Sequence, residues 1–137
     1  MVTMTRPDVD IVEAIDDIIA HYPPARRDQH HIHVSAQGGH VILTGNVMSP
    51  NTRAVLLEQI PSVEGVQSVN ADKLYDDESI RLDVGGLIES GSMFVRIEYG
   101  IVVLSGRLPA GKTAEDYARK IAKVPGVRKV VTNFQAA

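Results

Sequence analysis

"IHVSAQGGHVILTGNV", Ile32 to Val47, and "MFVRIEYGIVVLSGRL", Met93 to Leu108, carry one pattern twice, 61 positions apart. In the first, Ile32, Val34 and Ala36 alternate with His31, His33 and Ser35, the period of a strand with one buried face. Gly38-Gly39 supplies the positive φ of a two-residue turn, and Val41-Ile42-Leu43 returns as a second strand. In the second, Tyr99-Gly100 turns the chain between "MFVRIE" and "IVVLSG". The match continues without a gap from Ile32–Ala71 to Met93–Thr132. It pairs Gly39 with Gly100, Gly45 with Gly106, Gly65 with Gly126, Leu43 with Leu104, Ile60 with Ile121 and Val63 with Val124. Three glycines and an apolar pattern kept in register mark an internal duplication.

Each copy predicts a further helix and strand after its hairpin. Ser49 with Pro50, or Thr52, caps the helix of the first copy, and Thr113 with Asp116 makes the capping pair of the second. Leu56, Leu57, Ile60 and Val63, matched by Tyr117, Ala118, Ile121 and Val124, fall on one helical stripe that faces the sheet. Gly65 and Gly126 end the helical stretch, and "VQSVNADKLY" or "VRKVVTNF" follows as a third strand. A helix also precedes each hairpin. Ile11, Val12, Ile15, Ile18, Ile19 and Tyr22 keep helical spacing until Pro23-Pro24 stops them. Ile80, Val84, Leu87 and Ile88 do the same, capped by Asp76 or Asp77 and weakened by Gly85-Gly86. The expected fold is α+β: two tandem α-β-β-α-β units, residues 1–75 and 76–137, each a small three-stranded sheet with two helices on one face.

This order, with "G-x-V-x-L-x-G" at Gly39–Gly45 and Gly100–Gly106 and "V-x-G-V" at Val63–Val66 and Val124–Val127, resembles the BON domain (bacterial OsmY and nodulation). The resemblance spans nearly the whole chain. It implies a small αβ sandwich per unit and a non-catalytic module that binds phospholipid surfaces or envelope partners in a stress-related role. It also implies ion sensing in some cytoplasmic relatives.

Composition bounds the function. A chain of 137 residues that is 44% hydrophobic and 23% charged is expected to build a packed core. With no cysteine, disulfides, thiolate metal sites and thiol catalysis are excluded. "MVTMTRPDVD" has no apolar export core and no stretch approaches a membrane span, so the expected location is cytoplasmic. No Rossmann glycine pattern or nucleophile elbow is present, and no cofactor is expected. "GRLPAGKT", Gly106 to Thr113, matches a phosphate-binding loop literally. The first copy reads "GNVMSPNT" at the same place, however, no acidic partner strand follows, and two small units leave little room for a nucleotide-binding sheet. An enzyme is therefore not expected.

Three groups of residues are candidates for function. Four of the five histidines lie between His30 and His40. The hairpin register sets His33 opposite Thr44, His31 opposite Asn46 and His40 opposite Gln37, which leaves His33 and His40 about 13 Å apart at ~3.3 Å per residue. His31 and His33 share a face, but two ligands fall short of the three a divalent site ordinarily takes, so they are a weak metal candidate and no metal is expected. Ile42, Phe94, Ile101 and Val103 fall on the sheet faces opposite the helices, where polar residues are usual, which implies a cover: the other repeat, a second subunit or a ligand. From Ser105 to Ala137 seven basic residues, Arg107, Lys112, Arg119, Lys120, Lys123, Arg128 and Lys129, stand against Glu115 and Asp116, a local +5 in a chain of net charge -3. This set suits an anionic phospholipid surface or a protein partner. Nucleic acid is not expected, given a pI near 5.9 and few aromatics.

Overall fold

A computed structural model of the chain describes residues 5–89 and 91–135. Two three-stranded sheets, each covered by helices on one face, form the predicted α+β arrangement. The first unit runs α1 (Asp8–His21), α2 (Pro23–Asp28), β1 (Ile32–Gln37), β2 (His40–Val47), α3 (Pro50–Gln59) and β3 (Ser68–Asp76). The second runs α4 (Asp77–Gly85), β4 (Met93–Glu98), β5 (Ile101–Arg107), α5 (Ala114–Ile121) and β6 (Lys129–Gln135). In each sheet the central strand pairs antiparallel with its hairpin partner and parallel with the last strand, which the intervening helix makes possible.

The inward positions of the alternating strands build one core per unit. Ile11, Ile15, Leu43, Leu56, Ile60 and Leu74 close the first, and Ile80, Val84, Val102, Leu104, Tyr117 and Ile121 the second. The expected caps are present: Ser49 accepts from the Asn51 amide, and Thr113 accepts from the Asp116 amide. Asp76 caps α4, which ends at Gly85 and leaves Leu87 outside it. Thr52, the other cap candidate, is buried instead and its hydroxyl has no partner.

The hairpin tips are held by one repeated device. Gly38 and Gly39, and at the matching place Tyr99 and Gly100, all have positive φ, as a two-residue turn requires. The first residue of each leading helix ties its tip down. Asp8 accepts from the Gly38 and Gly39 amides at 2.9 and 3.0 Å, and Asp77 from the Tyr99 and Gly100 amides at 2.7 and 3.0 Å.

The repeat offset is 69 between Asp8 and Asp77 but 61 between Gly39 and Gly100, so the first unit holds eight extra residues before its hairpin. Pro23-Pro24 does stop α1, but it also starts a helix: a proline at the first helical position gives up only an N–H that would be unpaired anyway. Five of the eight lengthen α1, which has 14 residues against 9 in α4, and the rest fall in the segment before β1 that forms α2 and the 3-10 turn Gln29–His31. A second difference is a bulge. The register runs Ile42↔Asn70 and then Thr44↔Lys73, with one additional residue in β3, whereas β5 and β6 pair without interruption.

Candidate functional site

The units meet where the tip of the second hairpin sits against the end of the first sheet. Tyr99 has φ 48, a left-handed conformation that costs a bulky side chain about 1–2 kcal/mol. The contacts it makes across the joint hold it there. Its hydroxyl donates to Asp28 Oδ1 at 2.7 Å, and its ring stacks on His31 with centroids 3.6 Å apart and planes 8° from parallel. Asp28 is wholly buried, and it also accepts from the Met48 amide at 3.1 Å and pairs with Arg27 at 3.0 Å. Beside this, Asn46 Nδ2 donates to the Gly126 carbonyl at 3.0 Å. Burial, and after it the hydrogen bond to Asp28, raises the Tyr99 phenol to about 12. Burial also raises the Asp77 carboxyl, against the pull of the Tyr99 and Gly100 amides.

A groove of about 540 Å3 runs along this joint. His30, His31, His33 and Lys73 enter it from the first unit and Arg128 from the second, with Asn46 and Tyr75 in its wall. His31 and His33 therefore come together, as the register predicts, in a basic groove; among the described residues no cluster of three or more metal-ligating side chains occurs. His40 is at the far end of the sheet, 2.7 Å from Ser68 Oγ.

The sheet faces turned away from the helices differ sharply. On the second unit the cross-strand rows are Glu98–Ile101–Lys129, Arg96–Val103–Val131 and Phe94–Ser105–Asn133, with Arg107 and Gln135 beyond. Phe94 is 66% exposed, Val131 37%, and Ile101 and Val103 are half-buried. On the first unit the corresponding rows are His33–Thr44–Lys73, Ser35–Ile42–Asn70 and Gln37–His40–Ser68, where Ile42, 48% exposed, stands alone among polar residues. The other repeat covers neither Phe94 nor Ile42.

The basic residues divide among separate surfaces. Arg107 and Lys129 share the outer sheet face with Phe94, Ile101 and Val103, joined by Arg96, which charge counting near the C-terminus passed over. Arg119, Lys120 and Lys123 are exposed on and just after α5, on the other side of the sheet, with Arg119 3.6 Å from Asp116. Arg128 turns to the joint, where its guanidinium donates to the Tyr99 carbonyl at 3.4 Å. Lys112 is exposed in the β5–α5 loop, and its amide closes a turn onto the Pro109 carbonyl. No described helix is long and apolar enough to cross a membrane.

Asp28, Asn46, Lys73 and Tyr99 are the residues sequence reading missed. Tyr99 alone left a signal, as a bulky residue where the first copy has Gly38. Asp28 ends α2, a helix that has no counterpart among the described residues of the second unit.

Among solved structures the chain is similar to the C-terminal domain of CdsD, a structural protein of the type III secretion system of Chlamydia trachomatis, at 13% identity and TM-score 0.75. That match covers 97% of this chain and 68% of the other. A second CdsD structure from the same organism matches at 12% identity and TM-score 0.73, over 92% of this chain and 61% of that one. At such identities the likeness shows the fold alone. No curated protein matches significantly. The BON domain model matches twice, over residues 7–74 and 76–137, covering nearly all of the chain, which therefore belongs to the BON domain family as a tandem pair.

Proposed function

We propose that the protein is a non-enzymatic binding module that attaches to an anionic phospholipid surface through the outer sheet face of its second unit, in a stress-related role. One observation carries this reading: Ile101, Val103 and Val131 are neighbours on this face and Phe94, 66% exposed, stands on the same face one row on, with Arg96, Arg107 and Lys129 among them and Glu98 the one acid in those rows. Two groups of residues that looked unrelated in the sequence thus share one face. Apolar side chains that enter the headgroup region and cations that meet its charge act together there, each cation contributing about 1 kcal/mol and less as salt rises.

Flotation with phosphatidylglycerol vesicles tests this. Wild-type protein is expected to float at low salt and to be released at high salt, and Phe94→Asp and Arg96→Glu are each expected to lower the bound fraction at least severalfold. Flotation of Phe94→Asp at the wild-type level would overturn it. If the triple variant Arg119→Gln, Lys120→Gln, Lys123→Gln loses attachment instead, the helix side of the unit is the binding surface.

A protein partner or a second copy is the alternative occupant of the same face, favoured by the apolar Val103–Val131 cross-strand pair within it. Sedimentation of wild type and Phe94→Asp at matched concentrations tests for the second copy, the occupant whose loss lowers the mass of the purified variant.

A further inference from the structure

We propose that the groove at the joint binds a phosphate group, held between the two units, and binds it more tightly as the pH falls. The site is distinct from the Phe94 face and does not rest on it.

Cationic groups converge there from both units, and none of the residues lining the groove is acidic. The ion pairs among the described residues are Arg27–Asp28 and Arg119–Asp116, so Lys73 and Arg128 have no carboxylate within bonding distance. In a chain with net charge -3, cations gathered without a counter-charge repel one another, and a bound anion relieves that repulsion.

The bulge shows how the fold assembles this set. An uninterrupted register from Ile42↔Asn70 would set Asp72 opposite Thr44; the additional residue sets Lys73 there instead. The bulged segment is clamped by Arg53 of α3, whose guanidinium donates to the Leu74 and Ala71 carbonyls at 2.8 and 2.9 Å. The second unit has Ala114 at the matching position and no bulge. The row His33–Thr44–Lys73 spans two strand spacings, about 10 Å, which leaves room for a phosphate group between the flanking cations.

The pH dependence comes from imidazole, the side chain whose charge ordinarily changes between about pH 5 and 8. His30, His31 and His33 face Lys73, Tyr75 and Arg128 in the groove and, through Tyr99, the buried Asp28. Asp28 is already satisfied by Arg27, Tyr99 and the Met48 amide, so it does not compete for an anion. Acidification therefore adds positive charge to the groove with no acid lining it to offset the gain.

Sulfate is the first probe, because it keeps its charge over this range while phosphate does not. In an NMR titration of the full chain, sulfate is expected to shift His30, His31, His33, Lys73 and Arg128 saturably, with a Kd that falls about tenfold from about pH 8 to about pH 5. Lys73→Gln is expected to weaken binding severalfold at both ends of that range without touching the joint. Adding Arg128→Gln should weaken it further, and Phe94→Asp should leave it unchanged. Inorganic phosphate and phosphatidylglycerol vesicles then separate the sources. If Lys73→Gln also loses flotation, the phosphate belongs to a lipid headgroup; if it floats normally but loses sulfate and phosphate, the ligand is a free anion. Shifts that do not saturate at millimolar sulfate near pH 5, or a Kd unaltered by Lys73→Gln, would overturn the proposal.

Discussion

The two hairpins share two glycines, Gly39/Gly100 and Gly45/Gly106, and apolar inward residues that include Val34/Val95, Val41/Val102 and Leu43/Leu104, yet one ends in Gly38-Gly39 and shows His33, Ser35 and Thr44 outward, while the other ends in Tyr99-Gly100 and shows Phe94, Arg96 and Ser105. Inward positions of a small sheet are constrained by packing, where a single misplaced methylene is felt. Outward positions carry no such constraint, so the copies diverged there without loss of the fold. The first unit became the polar, histidine-bearing half that receives a neighbour. The second became the half that supplies the connecting tyrosine and exposes an apolar face.

The comparison is broken most severely at the glycines the copies share. A methyl on Gly45 would overlap the His31 carbonyl oxygen, and one on Gly106 the Ser92 carbonyl oxygen, both at positive φ. Gly45→Ala and Gly106→Ala are each expected to cost about 3–5 kcal/mol from overlap and backbone strain together. Gly111→Ala, at positive φ with nothing within 4 Å, should cost only about 1 kcal/mol. Urea denaturation of the three variants checks the ranking, and a cost confined to one unit would show that the copies are not equivalent in stability.

The joint comes next, because it has no counterpart elsewhere in the chain. Asp28→Ala strips the partner from the Tyr99 hydroxyl, the Met48 amide and Arg27, and is expected to cost about 3 kcal/mol. Tyr99→Phe, which removes one hydrogen bond but leaves the Asp28 carboxylate short of a donor, should cost about 1–2 kcal/mol. The phenol has a folded pKa of about 12 against an ordinary 10.0. The folded state therefore holds that proton more tightly than the unfolded state does. Its contribution is complete below pH 10 and is lost as the pH rises toward 12. Tyrosinate absorbance followed against pH should show a component near pH 12 that disappears in Tyr99→Phe, while Tyr117, whose phenol burial also raises, stays in both.

Arg53 offers the finest test, since its counterpart is Ala114. Arg53→Ala removes two charge-assisted hydrogen bonds to the bulged strand and is expected to cost about 2 kcal/mol while shifting the amide resonances of Asp72 and Lys73. If those resonances stay in place, the bulge is held by the strand ladder rather than by Arg53.

Much of this was legible because it is local. The duplication, the turns, the caps at Ser49 and Thr113 and the alternation that puts Phe94 outside all follow from residues close in sequence. The cover expected over the apolar faces was not found in the other repeat, because alternation tells which side a residue faces and not what stands opposite. The basic C-terminal run was legible as charge but not as surfaces, since neighbours along β5, α5 and β6 project to opposite sides of one sheet.

By itself the sequence determined a tandem α+β pair, because glycine stereochemistry and apolar period act within one unit and repeat with it. Only the tertiary structure decided where the units touch and what the touching makes. The short helix carrying Asp28, the bulge that sets Lys73 in one row with His33, and the strained Tyr99 are each unremarkable in one dimension. They acquire meaning because hydrogen bonds and charges act through space, between residues as far apart in the chain as Asp28 and Tyr99.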